Sequence, residues 1–170
     1  MSSADAPLIT ELEKGQVIVS RRIDLSRADL IRYAAASGDH NPIHWDERFA
    51  AEVGLGGVIA HGMLTMGLAV DLVSEWAGDP GAVVDYQARF AKPVPVPEPS
   101  QGSPEQPTAS LEIAGTIGAV DVEHSTARVD LTVTLLPAEQ AEAADPGGTP
   151  GSPVKVLAKT QAQVRLRDRP

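Results

Sequence analysis

The sequence predicts an α+β fold: a single domain in which a curved antiparallel sheet wraps around one long, central helix. Three observations lead to this prediction. The chain has 170 residues, which is enough for one ordinary domain and too few for two. Its apolar patterns follow the order strand, helices, then four consecutive strands, which is typical of α+β proteins. Residues 62–76 form an almost wholly apolar helical pattern, and other structure has to enclose such a helix. We therefore treat residues 1–170 as one domain.

The first third of the chain contains one strand and two helices. Residues 16–22 alternate weakly and are β-branched, which indicates a strand. Ser26 is typical of an N-cap and Asp29 of the third helical position, so a helix is expected to begin there and to end at Gly38. A second, short helix is expected over residues 47–53.

The central helix is expected over residues 62–76, enclosed on nearly every side. Only Asp71 and Glu75 interrupt its apolar pattern with charge, and we interpret them as its exposed or hydrogen-bonded edge. The Gly-Asp-Pro-Gly turn at residues 78–81 ends the helix.

The second half of the chain is predicted to form strands. Runs or alternations of Val, Ile, Leu and Thr indicate each of them, and residues 121–124 look like a hairpin connection between two of them. The predicted strands cover residues 83–91, 109–120, 125–136 and 154–166.

Two stretches rich in proline and glycine interrupt these strands, at about residues 93–108 and 137–153. Neither contains enough apolar surface to offset the entropy of ordering, so both are interpreted as extended or flexible loops of the one domain. A domain linker is the alternative, but the segment after the second stretch is too short to fold alone.

Composition excludes several classes of function. The chain has no cysteine, which excludes disulfides, a thiol nucleophile and metal sites with cysteine ligands. Its net charge of −9 argues against general nucleic-acid binding. No apolar run has the length of a membrane span, and the first fourteen residues lack the apolar core of a signal peptide. We therefore expect a cytoplasmic protein with no membrane span.

Most of the polar chemistry of the chain is concentrated in residues 37–44, Ser-Gly-Asp-His-Asn-Pro-Ile-His. Because Pro42 pushes Asn41 away from the α region, the backbone here is expected to be a bent loop, neither helix nor strand. Such a loop can direct Asp39 and His44 towards one water molecule, as a general acid and base. The alternative is an ordinary turn, in which these residue types are common and His44 has no role.

A second candidate site is the start of the central helix, Ala-His-Gly-Met at residues 60–63. The first N–H groups of a helix have no internal partners and carry partial positive charge. Because Gly62 lacks a Cβ, a ligand oxygen could approach its N–H closely, which suits an oxyanion on a thioester carbonyl. The alternative is that Gly62 is a turn glycine and His61 merely a cap.

Other sites are not supported. The Gly-Leu-Gly-Gly at residues 54–57 does not extend to a dinucleotide fingerprint, and no Gly-x-Ser-x-Gly elbow is present. His40 and His44 are four residues apart but not on a helix, and the Glu of a zinc-protease motif is missing, so we expect no metal.

Several segments resemble one protein family. Residues 33–44, with the sequence YAAASGDHNPIH, resemble the hydratase motif of the MaoC-like, R-specific enoyl-CoA hydratases, which have the hot-dog fold. The WDE at residues 45–47, the AHGML at residues 60–64 and the GDPGAV at residues 78–83 are similar to the B-type catalytic subunit of the actinobacterial (3R)-hydroxyacyl-carrier-protein dehydratases. The resemblance covers about residues 10–95, and the later strands only by pattern.

The resemblance implies a site and a reaction. Asp39 and His44 would hold and activate a water, Asn41 would orient them through hydrogen bonds, and the Gly62 N–H would form the oxyanion hole. The implied reaction is the reversible syn addition or loss of water across C2–C3 of a thioester, in fatty-acid metabolism. Its substrate would be carried by CoA or by an acyl carrier protein, with no other cofactor and no metal.

The resemblance also implies an assembly, either a homodimer or a heterodimer with a related hot-dog subunit. Two other functions remain as alternatives, a hot-dog acyl-thioesterase and a non-catalytic partner subunit of a heteromeric dehydratase. The presence of both Asp39 and His44 argues against each of them.

Overall fold

The computed structural model describes residues 6–137 and 152–167. It contains three α-helices, five strands and two short 3-10 turns. The helices are α1 (Arg27–Ser37), α2 (Glu47–Glu52) and α3 (Gly62–Ala77), the strands are β1 (Val17–Ser26), β2 (Val83–Phe90), β3 (Pro107–Asp121), β4 (Thr126–Leu135) and β5 (Val154–Arg165), and the 3-10 turns are Ile9–Glu11 and Pro42–His44.

The five strands form one antiparallel sheet in the order β1-β3-β4-β5-β2. Helix α3 contacts β2, β4 and β5 and also β1, so it reaches both edges of the sheet. A flat sheet of five strands is about 19 Å wide between its edge strands, whereas a helix is only about 10–12 Å across. The sheet must therefore curve around α3, and the predicted α+β architecture is confirmed.

The local signals around α1 act as predicted. The Ser26 hydroxyl accepts a hydrogen bond from the Asp29 N–H, and the Asp29 carboxylate accepts one from the Ser26 N–H. This capping box fixes where the chain turns from strand into helix. At the other end Gly38 has a φ of 76°, a left-handed conformation that favours glycine.

The predicted strands and their hairpin are also confirmed. The hairpin joins β3 to β4, with Asp121 paired to Thr126. Strands β2 to β5 each lie within two residues of their predicted bounds, whereas β1 was predicted to end at residue 22 and continues to Ser26.

The expectation that α3 is enclosed on nearly every side is wrong for one of its faces. Residues 63, 67, 71 and 75 are exposed, and Met63 keeps 58% of its surface open to solvent. The opposite face contributes Ala69, Leu72 and Val73 to the core. Asp71 and Glu75 do lie on the open edge, as predicted, and Glu75 pairs with Arg21 at 2.8 Å.

The expectation that residues 93–108 bury little apolar surface is wrong for the first part of this stretch. Val94 and Val96 are buried, and their backbone groups bond to residues 58–60 before α3: Ala60 N–H to the Val94 carbonyl at 2.8 Å and Val96 N–H to the Val58 carbonyl at 3.0 Å. Valines alternate with prolines over residues 93–97, and alternate side chains of an extended segment point to the same side, so both valines reach the core. Most of the second stretch, residues 137–153, lies outside the described residues.

Within residues 6–137 and 152–167, no helix has both the length and the apolar character needed to cross a membrane.

Candidate active site

The loop after α1 places the carboxylate of Asp39. The Ser37 hydroxyl accepts a hydrogen bond from the Asp39 N–H at 3.2 Å, and Asp39 Oδ1 accepts one from the Asn41 N–H at 3.2 Å. The first bond holds the backbone of Asp39 and the second ties its carboxylate to the backbone of the loop, while the side chain remains 52% exposed. The Asp39 side chain is therefore fixed in position and accessible to solvent.

His44 is placed by a 3-10 turn and by one tertiary hydrogen bond. Asn41 Oδ1 caps the turn by accepting from the Ile43 N–H at 3.3 Å, with Pro42 at the first position of the turn. The prediction of a loop with no helical structure is thus wrong for residues 42–44, because a proline that bars the helix for its predecessor is itself suited to start one. His44 is buried, and its Nδ1 lies 2.8 Å from the Ile59 carbonyl oxygen.

That bond determines which nitrogen of His44 faces the loop. A carbonyl oxygen only accepts, so Nδ1 carries the proton and, in the neutral ring, Nε2 is an acceptor. His44 Nε2 lies 4.0 Å from Asp39 Oδ2. This is too long for a direct hydrogen bond. It is close to the separation of about 4–5 Å expected for two acceptors that share one water.

The start of α3 and His44 border the same cavity. This cavity has a volume of ≈ 400 Å³, and its lining includes His44, Gly62, Thr65, Phe90 and Lys92 among mainly apolar neighbours. Asp39 does not line it and approaches His44 from the exposed loop. The structure thus brings together His44 with Asp39, and His44 with Gly62.

Gly62 lies at a close approach to another side chain that the sequence did not predict. A Cβ at Gly62 would come within 3.0 Å of Phe90 Cε1, so the Phe90 ring lies against the start of α3. Tyr86, on the same strand, donates a hydrogen bond to the Met66 carbonyl of α3 at 2.9 Å, which fixes β2 along the helix. No local signal predicts this contact, because it depends on how β2 runs past the helix.

His61 is the second residue whose place was not predicted. It occupies the N-cap position of α3, as the alternative interpretation expects, but its side chain makes no capping hydrogen bond. Its ring is buried and stacks on His44, with centroids 3.7 Å apart and planes at 24°. Its Nε2 lies 3.1 Å from the Asp39 carbonyl oxygen.

Asp39, His44 and His61 are also the residues that could hold a metal, since one ligand atom from each lies within 4.8 Å of the others. In each histidine one ring nitrogen is bonded to a backbone carbonyl, so the nitrogens left to act as ligands are His44 Nε2 and His61 Nδ1. The expectation of no metal stays a prediction.

Comparison with known proteins places the chain in a family. The family described as "MaoC like domain" matches residues 10–107, which is more than half of the chain. The chain belongs to the MaoC-like family. It is similar to a solved MaoC-like dehydratase with a TM-score of 0.75 and 35% identity, over 95% of this chain and 43% of that one. The predicted family and its hot-dog fold are thereby confirmed.

Two curated relatives of this MaoC-like chain have named activities. A 3-hydroxybutyryl-CoA dehydratase from Methylorubrum extorquens is 36% identical over 85 residues, which are 49% of this chain and 54% of the relative. A 3-hydroxyacyl-thioester dehydratase X from Mycobacterium tuberculosis is 48% identical over 73 residues, which are 43% of this chain and 25% of the relative. The chain therefore spans about half or less of the length of these relatives.

Proposed function

We propose that this chain is a hydro-lyase, an R-specific 3-hydroxyacyl-thioester dehydratase and enoyl-thioester hydratase. The observation that carries the proposal is the 4.0 Å gap between His44 Nε2 and Asp39 Oδ2. Membership of the MaoC-like family and the names of its relatives support the same reaction.

The distance between Asp39 Oδ2 and His44 Nε2 suits one water molecule that donates a hydrogen bond to each of these atoms. A carboxylate and an unprotonated Nε2 are both acceptors, and water has two donors. With both protons so engaged, a lone pair of the water oxygen is left for C3 of the enoyl thioester. As the C3–O bond forms, one O–H bond of the water breaks, and the Asp39 and His44 side chains hold the released proton. The proton is then delivered to C2 from the side on which the oxygen was added, which makes the addition syn.

The start of α3 serves the other end of the substrate. When C3 is attacked, electron density moves onto the thioester oxygen. The first N–H groups of a helix stabilise such charge, and we assign this role to the Gly62 N–H, next to the cavity that His44 lines. The loss of one such donor typically raises the barrier by about 3 kcal/mol.

One assay separates this function from the two alternatives. Purified chain is mixed with a crotonyl thioester, and the loss of the conjugated double bond and the release of free thiol are followed together. Loss of the double bond without thiol supports a hydratase, whereas thiol release supports a thioesterase. Inactivity of the chain alone, with activity on adding a related hot-dog subunit, identifies a heteromeric enzyme; activity in neither form contradicts the proposal.

We also propose a dimer, formed with a second copy or with a related hot-dog subunit. The edge strand β2 has no neighbour on its outer side in the described chain, and two large apolar residues of this strand, Val84 and Phe90, are 48% and 52% exposed. Edge strands of this kind are open to pairing with another chain. The mass in solution, measured alone and after co-expression with a related subunit, tests this; a monomer in both cases contradicts it.

The remaining parts of the proposal concern the carrier. We propose that the acyl group arrives on CoA or on an acyl carrier protein, with no further cofactor, in the cytoplasm. Parallel assays with the same acyl chain on the two carriers decide between them.

A further inference from the structure

His61 has two features that the proposed reaction leaves unexplained. His61 is 1% exposed, and among the described residues its Nδ1 has no hydrogen-bond partner. A buried polar atom without a partner destabilises the folded state relative to an apolar group of the same shape. A phenylalanine ring would carry no unpaired polar atom, but it would also lack the N–H that faces the Asp39 carbonyl oxygen.

The contacts of His61 join the two segments that form the site. The first segment, residues 39–44, carries the catalytic pair, and the second, residues 59–61, leads into α3. Ile59 N–H donates to the Ile43 carbonyl at 3.2 Å and His44 Nδ1–H to the Ile59 carbonyl at 2.8 Å. His61 adds the bond from Nε2–H to the Asp39 carbonyl and the stack on His44. It is thus in direct contact with both members of the pair.

The protonation state of His61 follows from its surroundings. Because Nε2 donates to a carbonyl oxygen, the second proton of a charged ring would lie on Nδ1, where it has no acceptor. The titratable groups that face the ring are Tyr33 from α1, with ring centroids 4.8 Å apart, and Asp39 and His44 from the loop. Burial lowers the pKa of His61 below its usual value and the neighbouring His44 adds to this effect, while the hydrogen bond to the Asp39 carbonyl and the Asp39 charge oppose it in part. His61 is therefore neutral while the reaction proceeds.

We propose that His61 is a positioning residue for the catalytic pair. Its neutral ring fixes the plane of the His44 imidazole by stacking, and its Nε2–H fixes the backbone of Asp39. Together these contacts hold the two acceptors at the spacing that one water can bridge. The inference rests on the proposed function, because it assigns His61 a role only through Asp39 and His44.

Two substitutions separate the contacts of His61. His61→Gln keeps an N–H donor for the Asp39 carbonyl and loses the stacked ring, whereas His61→Phe keeps a ring and loses the donor. Each is expected to lower kcat by about 10²-fold, as for a small misplacement of a catalytic group. KM should change by less than about threefold, because substrate binding does not use His61. His61→Ala, which loses both contacts, should have a lower kcat than either.

The exposed His124, in the hairpin between β3 and β4, provides the control. His124→Gln should have the kcat and KM of the wild type.

A spectroscopic signature in the wild-type protein tests the inference even if these variants do not fold. Long-range ¹H–¹⁵N spectra of the imidazoles should show His61 protonated only on Nε2 at neutral pH. A proton on Nδ1 of His61, or a charged ring, overturns the inference.

The outcomes also separate this inference from the proposed function. If Asp39→Asn abolishes hydration while folded His61→Gln, His61→Phe and His61→Ala all keep the wild-type kcat, the inference alone fails. If the wild type hydrates no thioester, either alone or with a related hot-dog subunit, the proposed function fails and the inference fails with it.

Discussion

Asp39 Oδ2 and His44 Nε2 face each other across 4.0 Å, although the two residues are held by different parts of the fold. Asp39 is fixed by its own loop, through the Ser37 hydroxyl and the Asn41 N–H. His44 is fixed by the Ile59 carbonyl, in the segment that leads into α3. The spacing of the pair therefore depends on how the loop packs against the start of the central helix.

Gly62→Ala is expected to reduce turnover without unfolding the protein. The added methyl group would approach the Phe90 ring to 3.0 Å, so the exposed ring has to move. Loss of the oxyanion contact would lower kcat by about 10²-fold. Gly67→Ala on the same helix is the control, because nothing lies within 4 Å of its added Cβ. It should keep full activity and raise the melting temperature.

The double variant Gly62→Ala/Phe90→Ala shows why the glycine is needed. If the methyl group blocks the thioester oxygen, activity stays low after the clash with Phe90 has been removed. Recovery of wild-type kcat in the double variant would mean that Gly62 only makes room for the ring.

Asn41→Ala is expected to impair the pair through the 3-10 turn that carries His44. The substitution removes the cap on the Ile43 N–H and should lower the free energy of unfolding by about 1 kcal/mol. The turn then loosens, and kcat should fall by about tenfold or more. Asn41→Ser, whose hydroxyl can also cap, should recover part of both losses when kcat and urea unfolding are measured. Equal kcat in Asn41→Ala and wild type would remove the orienting role.

His61 should make the stability of the protein depend on pH in the weakly acidic range. The pKa of His61 is lowered below 6.5 in the folded state. At pH values between this lowered pKa and 6.5, the imidazole is protonated in the unfolded chain but not in the folded one. Its contribution to the free energy of unfolding is therefore complete above about pH 6.5 and falls as the pH decreases through this window.

Urea unfolding at several pH values between about 5 and 7.5 measures this effect. His61→Phe should flatten the pH dependence, and His124→Gln should leave it as in the wild type. The lowered pKa of Asp24 acts only below about 3.8, outside this window. If the free energy of unfolding of His61→Phe depends on pH as strongly as that of the wild type, His61 does not cause the pH dependence.

The elements that the sequence predicted correctly are those set by neighbours along the chain. Ser26, Asp29 and Gly38 start and end α1 through contacts within a few residues. Alternating apolar residues similarly fixed the strands, because one face of each strand must meet the core. The loop of Asp39 and His44 was predicted from its Asn-Pro step and from the resemblance of residues 33–44.

The features that could not be predicted depend on contacts between distant segments. Phe90 reaches Gly62 only because β2 runs along α3, and residues 93–97 bury two valines only because residues 58–60 offer partners for their backbone. His61 had one available signal, its position directly before the glycine that starts α3. That position equally suggests a cap, and only the packing of His44 shows that the ring turns inward.

Single-turnover hydration of a crotonyl thioester by Asp39→Asn and His44→Ala tests the shared-water pair most directly. Each variant should fold as the wild type does and lose activity by about 10²–10⁴-fold or more, because one acceptor of the water is lost. Asp71→Asn, a matched change at an exposed carboxylate on α3, should have the wild-type rate. Near-native activity in either Asp39→Asn or His44→Ala, at an unchanged melting temperature, would contradict the account.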